Sequence, residues 1–292
     1  MSKWTAKYPI YIPSKNRADT CLTARFFLRE GVKFKIVIEP SQVSAYRKNY
    51  ADDLLLVLPR DEMLLVGARL WIREHSIAAG FDRHWQFDDN IRDFQRLHKG
   101  KRIPVDSNIA LHVAEEFTDR YNNIGLTGFN YTMFTKPEYK QPYFLNVHVY
   151  SATLVNNRMP FKWRLKYNDD TDLCLQVLTN NLCTVLFNVF CVRKLQTMAI
   201  KGGNTDDLYA GDGRFVMART LEEMWPEHVV TTWRFGRPQH LIKNNWHQFT
   251  TPLIRRTDID WSAIENTRFD IALRAVKKPR SRAMRRFLAE NG

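Results

Sequence analysis

The chain has 292 residues, 44% of them hydrophobic with 18 Phe and 8 Trp, which is enough apolar mass for one large globular core. Its formal charge of +13 draws polyanions, nucleic acid foremost, although surplus basic charge also serves solubility alone. Runs of about eighteen uncharged apolar residues are absent, and Met1 to Asp19 lacks a charged leader followed by an apolar stretch, so membrane and secreted classes are disfavoured and a cytoplasmic protein is expected.

In chain order, Tyr8 to Pro13 reads as a strand, Thr20 to Glu30 as a helix, Phe34 to Pro40 as a strand and Gln42 to Asn49 as a short helix. Leu54 to Pro59 is a continuous apolar strand candidate, Met63 to Ala79 has helical periodicity closed by Gly80, and His84 to Phe87 leads into Asp88, Asp89 and Asn90. Strands alternating with helices predict a mostly parallel sheet here, with the acidic triplet at a strand's C-terminal end, where open α/β sheets bind ligands. From Asn122 the pattern changes to strand-like runs at Gly125 to Phe134, Phe144 to Val155 and Thr184 to Val192, with a helix after Asp170, which predicts a mixed sheet. Nothing repeats and no low-complexity linker divides the chain. One α/β domain over residues 1–255 is expected, its nucleotide-binding part about 8–95 and its acceptor part about 96–255, with 256–292 as a basic extension. Arg274 to Arg286 holds seven basic residues and no acid, and without them the body still carries +6.

Cys21, Cys174, Cys183 and Cys191 show neither a paired motif nor zinc-finger spacing and read as buried thiols. Phosphate-loop, dinucleotide-binding, metalloprotease and zinc-deaminase signatures are absent too. Asp88-Asp89-Asn90 admits two readings, an ordinary turn or a set of hard oxygen ligands for Mg²⁺ or Mn²⁺. Asn168-Asp169-Asp170-Thr171-Asp172 opens a helix, where acids cap free N–H groups and complement the dipole, and one carboxylate there also has the chemistry of a general base. Pro13-Ser14-Lys15-Asn16-Arg17 places hydroxyl, amide and guanidinium groups after the first strand. His240 and His247 are candidates for a metal shell or a phosphate contact, His247 foremost. Gly202-Gly203-Asn204 and Gly211-Asp212-Gly213 read as turns or as a mobile loop.

Tyr8 to Arg17, Phe34 to Glu39, Val66-Gly67-Ala68-Arg69, Phe87-Asp88-Asp89-Asn90 and Asn168-Asp169-Asp170 occur in the order found in GT-A glycosyltransferases, a Rossmann-like fold with a mixed central sheet. The set most resembles the TET-associated glycosyltransferases of phages. The resemblance implies that Pro13, Ser14, Arg17 and Glu39 line the nucleotide with Gly67 and Arg69 near its ribose or phosphates. It also implies that Asp88, Asp89 and Asn90 are the metal-binding equivalent, with Asn90 where that motif ends in Asp, and that Asp170, preceded by Asp169 where the family commonly has Glu, is the base.

The expected activity is transfer from a UDP-sugar to the hydroxymethyl group of 5-hydroxymethylcytosine in DNA, assisted by Mn²⁺ or Mg²⁺, with the base flipped and Trp163, Trp233 or Trp246 either supporting the displaced stack or filling the core. Three other readings compete with it: the same fold acting on a protein or glycan acceptor, a metal-dependent nuclease or phosphotransferase, and a DNA-binding module without catalysis.

Overall fold

The computed structural model describes residues 4–139, 141–195, 213–262 and 264. Gly202-Gly203-Asn204, Gly211-Asp212 and Arg274 to Arg286 lie outside the described residues.

Four short apolar runs form the parallel block anticipated for the first half: β1 (Ile10–Pro13), β2 (Lys35–Ile38), β3 (Leu55–Val57) and β4 (Arg83–Phe87), in the order β3-β2-β1-β4. Parallel neighbours need crossovers, and α1 (Leu22–Glu30), α2 (Val43–Tyr46) and α3 (Leu64–Ala78) lie in them. Gly31 ends α1 at φ +66, donating its N–H to Leu28 O in the left-handed conformation that glycine adopts without a Cβ penalty.

Beyond β4 the sheet becomes mixed. β9 (Ala152–Asn156) runs antiparallel between β4 and β7 (Ile124–Tyr131), and β10 (Cys183–Lys194) lies parallel to β7. β5 (Ile91–His98) pairs antiparallel with β10 and with β6 (Lys101–Pro104), while β8 (Tyr143–Leu145) pairs antiparallel with β10. α4 (Ser107–Thr118) and α5 (Asp169–Thr179) follow β6 and precede β10 respectively. α6 (Gly213–Met224) packs on a separate hairpin, β11 (Val229–Arg234) and β12 (Arg237–Ile242).

Three differences from the sequence reading have local causes. Leu54 to Pro59 is not a long buried strand: β3 is a three-residue edge strand with Val57 40% exposed. Phe144 to Val155 splits into β8 and β9 because Asn146 and Ser151 take positive φ, which an extended strand does not tolerate. β5 escaped notice because its buried residues, Ile91, Phe94 and Leu97, recur every third position rather than every second, next to a register shift at Arg193/Lys194.

An aromatic spine holds the layers together. Trp85 stacks on Phe129 with centroids 5.4 Å apart, Phe94 meets Phe129 edge-on at 4.9 Å, and Phe27 of α1 meets Phe87 at 5.2 Å. Such pairs add about 0.5–1.5 kcal/mol each beyond the area they bury. The buried Glu115 of α4 accepts hydrogen bonds from Trp85 Nε1 and from the backbone N–H of Lys7 and Tyr8, which ties α4 to β4 and to the entry of β1. All four cysteines are buried and unpaired, as expected.

The chain after β12 returns to the sheet. Asn123 Nδ2 donates to Pro252 O, Ile254 N donates to Asn123 Oδ1, Tyr121 bridges Arg255, and Arg256 N donates to Arg120 O. Trp261 also packs on Tyr121, so contacts with the body continue past residue 255. Among the described residues no helix is long and apolar enough to cross a membrane.

Candidate active site

The strand directions explain where the polar residues gather. β1, β2, β4, β7 and β10 point the same way, so Ser14, Glu39, Asp88, Asn130 and Lys194, at or just past their C-terminal ends, share one edge of the sheet. β9 runs in reverse and brings Ser151, just before its first residue, to the same edge. Crevices at this edge are where open α/β sheets bind ligands.

Asp88 and Asp89 lie in the turn after β4, and α1 holds that turn. Thr23 Oγ1 donates to Asp88 O and accepts from Ile91 N, while Thr23 N donates to Asp89 O. Asp88 Oδ2 accepts from Lys194 Nζ and Ser151 Oγ, both at 2.6 Å, and Asp88 Oδ1 lies 3.4 Å from Arg69 Nη2. Burial works to raise its pKa, but the Lys194 and Arg69 charges outweigh it and hold Asp88 below the usual carboxylate range. Asp89 Oδ1 accepts from Arg17 Nη1 at 2.5 Å and Oδ2 from Ser14 Oγ at 2.7 Å, and Tyr46 OH in turn donates to Ser14 Oγ. Here burial wins, and the Asp89 pKa is raised despite Arg17 and Ser14.

This donor set does not fit a divalent cation. Each carboxylate oxygen of Asp88 and Asp89 already faces an N–H or O–H donor, and an ammonium on Asp88 Oδ2 would repel a metal ion placed there. Asn90 directs Nδ2 to Leu195 O, leaving Oδ1 buried without a hydrogen-bond partner, which supplies a single neutral oxygen. His247 is exposed on the turn Trp246–Gln248. Among the described residues no group of three His, Cys, Asp or Glu is placed to hold a metal.

Arg69 joins the two acidic stretches. Buried on α3 and held by Gln86 Oε1 at 3.1 Å, it reaches Asp88 with Nη2 and places Nε 3.0 Å from Asp169 Oδ2. The Arg69–Asp169 contact is ionic without hydrogen-bond alignment, so Asp169 Oδ2 is buried with no hydrogen bond. Burial, then the neighbouring Asp170 and Asp88 charges, push Asp169 up to about 6 against the pull of Arg69.

The Asn168 N-cap of α5 is left-handed and makes no side-chain cap bond, so the acids that follow occupy the first turn rather than the cap itself. Asp170 Oδ1 accepts from Thr171 N, and Oδ2 lies 3.3 Å from His148 Nε2. Burial opposes ionisation of Asp170, but His148 and the Thr171 N–H overcome it and hold its pKa low. His148 stacks on Trp246 with centroids 5.6 Å apart and ring planes 9° from parallel. The Asp170 side chain is 36% exposed against 14% for Asp169, so of the two it is the more accessible from solvent.

Of the residues expected from the sequence, Ser14, Arg17, Arg69, Asp88, Asp89, Asp169 and Asp170 form one connected array. Glu39 is paired beside it with Lys15 at 2.7 Å. Pro13 pairs in the sheet with Val37, and Gly67 sits in α3 with only Met63 within contact distance of where its Cβ would be. His240, not His247, is on the strand that feels the charges of His148 and Asp170, and burial lowers its pKa. Sequence reasoning missed Lys194, Ser151, His148 and Tyr131, whose OH meets Ser151 Oγ and Lys194 Nζ. Lys194 had one legible signal, a polar residue just outside the run Thr184 to Val192. His148 and Ser151 lay inside the run Phe144 to Val155 and looked like strand interior.

The chain matches none of the curated proteins compared with it. A family model described as TET-Associated Glycosyltransferase matches residues 8–203, a span that holds the whole array from Ser14 to Lys194. The chain belongs to the TET-associated glycosyltransferases.

Proposed function

We propose that this glycosyltransferase moves a sugar from a UDP-sugar onto the hydroxymethyl group of 5-hydroxymethylcytosine in DNA. The observation that carries the reading is the position of the array: in a chain of this family, cationic and carboxylate groups converge at the ligand-binding edge of the sheet, linked through Arg69. An open depression of about 450 Å³ lined by Asn16, Arg17, Asp19, Thr20 and Gln42 adjoins the array at Arg17, a size that suits a nucleoside. Arg17, Arg69 and Lys194 are the charges available to a diphosphate, each meeting a phosphate oxygen while keeping its carboxylate partner. The basic body and the family name favour DNA as acceptor.

In this reading Asp170 is the base. The acceptor hydroxyl gives its proton to the Asp170 carboxylate, its oxygen bonds to the sugar's anomeric carbon, and the bond from that carbon to the diphosphate oxygen breaks, releasing UDP. Displacement in line from the opposite face inverts the anomeric centre. His148 positions the Asp170 carboxylate and Trp246 braces His148. Metal assistance is left out of the mechanism because the oxygens of Asp88 and Asp89 are already occupied by protein donors.

The test is mass spectrometry of nucleosides from hydroxymethylcytosine-containing DNA incubated with the protein and mixed UDP-sugars, with Mn²⁺ in one arm and chelator in the other. A hexose-sized or N-acetylhexosamine-sized gain in both arms is expected. UDP release with an unchanged base would overturn the acceptor, and a gain confined to the Mn²⁺ arm would overturn the metal-free mechanism.

A further inference from the structure

The β11–β12 hairpin carries a concentration of locally unfavourable features. Its two-residue turn is Phe235-Gly236, at φ +53 and +71, the doubly positive combination that favours Asn-Gly and penalises a bulky first residue. Phe235 is nevertheless there, 85% exposed, and Trp233 two residues before it is 70% exposed. Arg234 and Arg237 face each other across the strands, a like-charge pair that costs stability, and among the described residues neither is in an ion pair. The Arg234 guanidinium instead lies over the Phe235 ring at 5.7 Å. Three local costs within five residues, offset among the described residues by that one cation–ring contact, point to a use outside the chain.

The other end of the hairpin is firm. Val229 and Ile242 are buried with Leu165, Leu175 and Leu221, which fixes the ribbon to α5 and α6. Between anchor and tip sits His240, within the electrostatic reach of His148 and Asp170. From His240 to Arg237 is three residues of strand, roughly 10 Å, with the Phe235-Gly236 turn beyond. The same ribbon therefore runs from an anchor packed on α5, the helix that opens with Asp169 and Asp170, to an aromatic, cationic tip in solvent.

We infer that this hairpin tip is a wedge that enters the DNA duplex and displaces the base to be glycosylated. The inference rests on the DNA reading above. A tip of this kind asks for a partner with anionic edges and a flat apolar interior. A duplex supplies phosphates for Arg234 and Arg237 and a base stack for Trp233 and Phe235, and its major groove admits a two-stranded ribbon. The C5 hydroxymethyl group of a paired base projects into the major groove, and an extrahelical base carries it beyond the groove to Asp170 at the sheet edge. Of the three tryptophans weighed from the sequence, Trp163 is core and Trp246 braces His148, and only Trp233 is free to meet DNA.

The test uses the full chain and two acceptors of one sequence, each with a single hydroxymethylcytosine, one single-stranded and one duplex. The double variant Trp233→Thr, Phe235→Asn removes both rings, and its Asn-Gly turn and β-branched Thr suit the hairpin, so folding is preserved and is checked by thermal melting. Transfer to the duplex should fall by about tenfold or more, and transfer to the single strand by less than about twofold, because only the duplex must be opened. A 2-aminopurine beside the target should brighten with wild type on the duplex and stay quenched with the variant. Equal rates for variant and wild type on the duplex overturn the wedge, as does an equal loss on both acceptors, which marks a general contact. If wild type glycosylates neither acceptor, the DNA reading fails and the wedge falls with it.

Discussion

Asp88-Asp89 and Asp169-Asp170-Asp172 lie on either side of Arg69 and present the same functional group, yet their surroundings give the carboxylates different work. In the turn after β4 every carboxylate oxygen meets a donor, with Ser14 and Arg17 on Asp89 and Arg69, Ser151 and Lys194 on Asp88. In the second stretch, three acids within four residues have three fates. Asp172 is fully buried and takes four hydrogen bonds, from Arg164 Nε and Nη2, Trp225 Nε1 and Gln176 Nε2. Asp169 has a charge partner without hydrogen-bond alignment, and Asp170 is open to solvent beside an imidazole. A carboxylate's role is set by the donors around it and by its access to solvent, and of the three Asp170 is the most exposed.

The comparison is sharpest at Asp170. Exchanging it for Asn keeps shape and removes the proton acceptor, so turnover should fall a hundred- to ten-thousand-fold, the usual worth of a positioned base, with donor affinity and melting temperature nearly unchanged. Isothermal titration with UDP separates the two effects. Retained turnover in this variant would move the base elsewhere, with His148 the next candidate by position.

Two residues along, Asp172→Ala should do the reverse. It strands Arg164, Trp225 and Gln176 without their acceptor and costs about 3 kcal/mol in chemical denaturation. Under conditions where the variant stays folded, turnover per folded molecule should match wild type. A melt unchanged from wild type would show that the network is ornamental.

Much of this was legible in the sequence, for a physical reason. β1, β2, β4 and α1 to α3 are local: their apolar periodicity, Gly31 and Gly80 announce them before any tertiary contact forms. Asp88 and Asp170 were legible because each sits at a boundary between an apolar run and a helix or turn. The rest depends on pairing between distant residues. Lys194 meets Asp88 across 106 positions because β10 lies antiparallel to β5, and no local pattern encodes that register. β5 was obscured by its three-residue burial spacing, whereas α4 was legible and missed, since Asp106 caps it and Ala110, Leu111 and Ala114 recur on its buried face. The donors that occupy Asp88 and Asp89 come from β1, α3, β10 and the loop before β9, which is why a metal site could be expected from the triplet alone and not from the folded array.

The smallest effect separates Asp169 from both neighbours through its pH dependence. Its pKa in the fold, about 6, lies above the usual carboxylate value, so the folded state holds this proton more tightly than the unfolded chain does. The stability that comes from this difference is fully present below the unfolded pKa and is lost as pH rises through about 6, where Asp169 ionises against burial and its acidic neighbours. Asp169→Asn should therefore stabilise the protein at pH 8, on the order of 1 kcal/mol, and leave it unchanged at pH 4. Chemical denaturation of variant and wild type at the two pH values checks this. A gain at pH 4 that vanishes at pH 8 would mean that Arg69 dominates the site and that Asp169 is a satisfied partner like Asp172. The expected sign instead marks Asp169 as a carboxylate the fold keeps at a cost, and such costs collect where a protein's groups are arranged for a ligand rather than for one another.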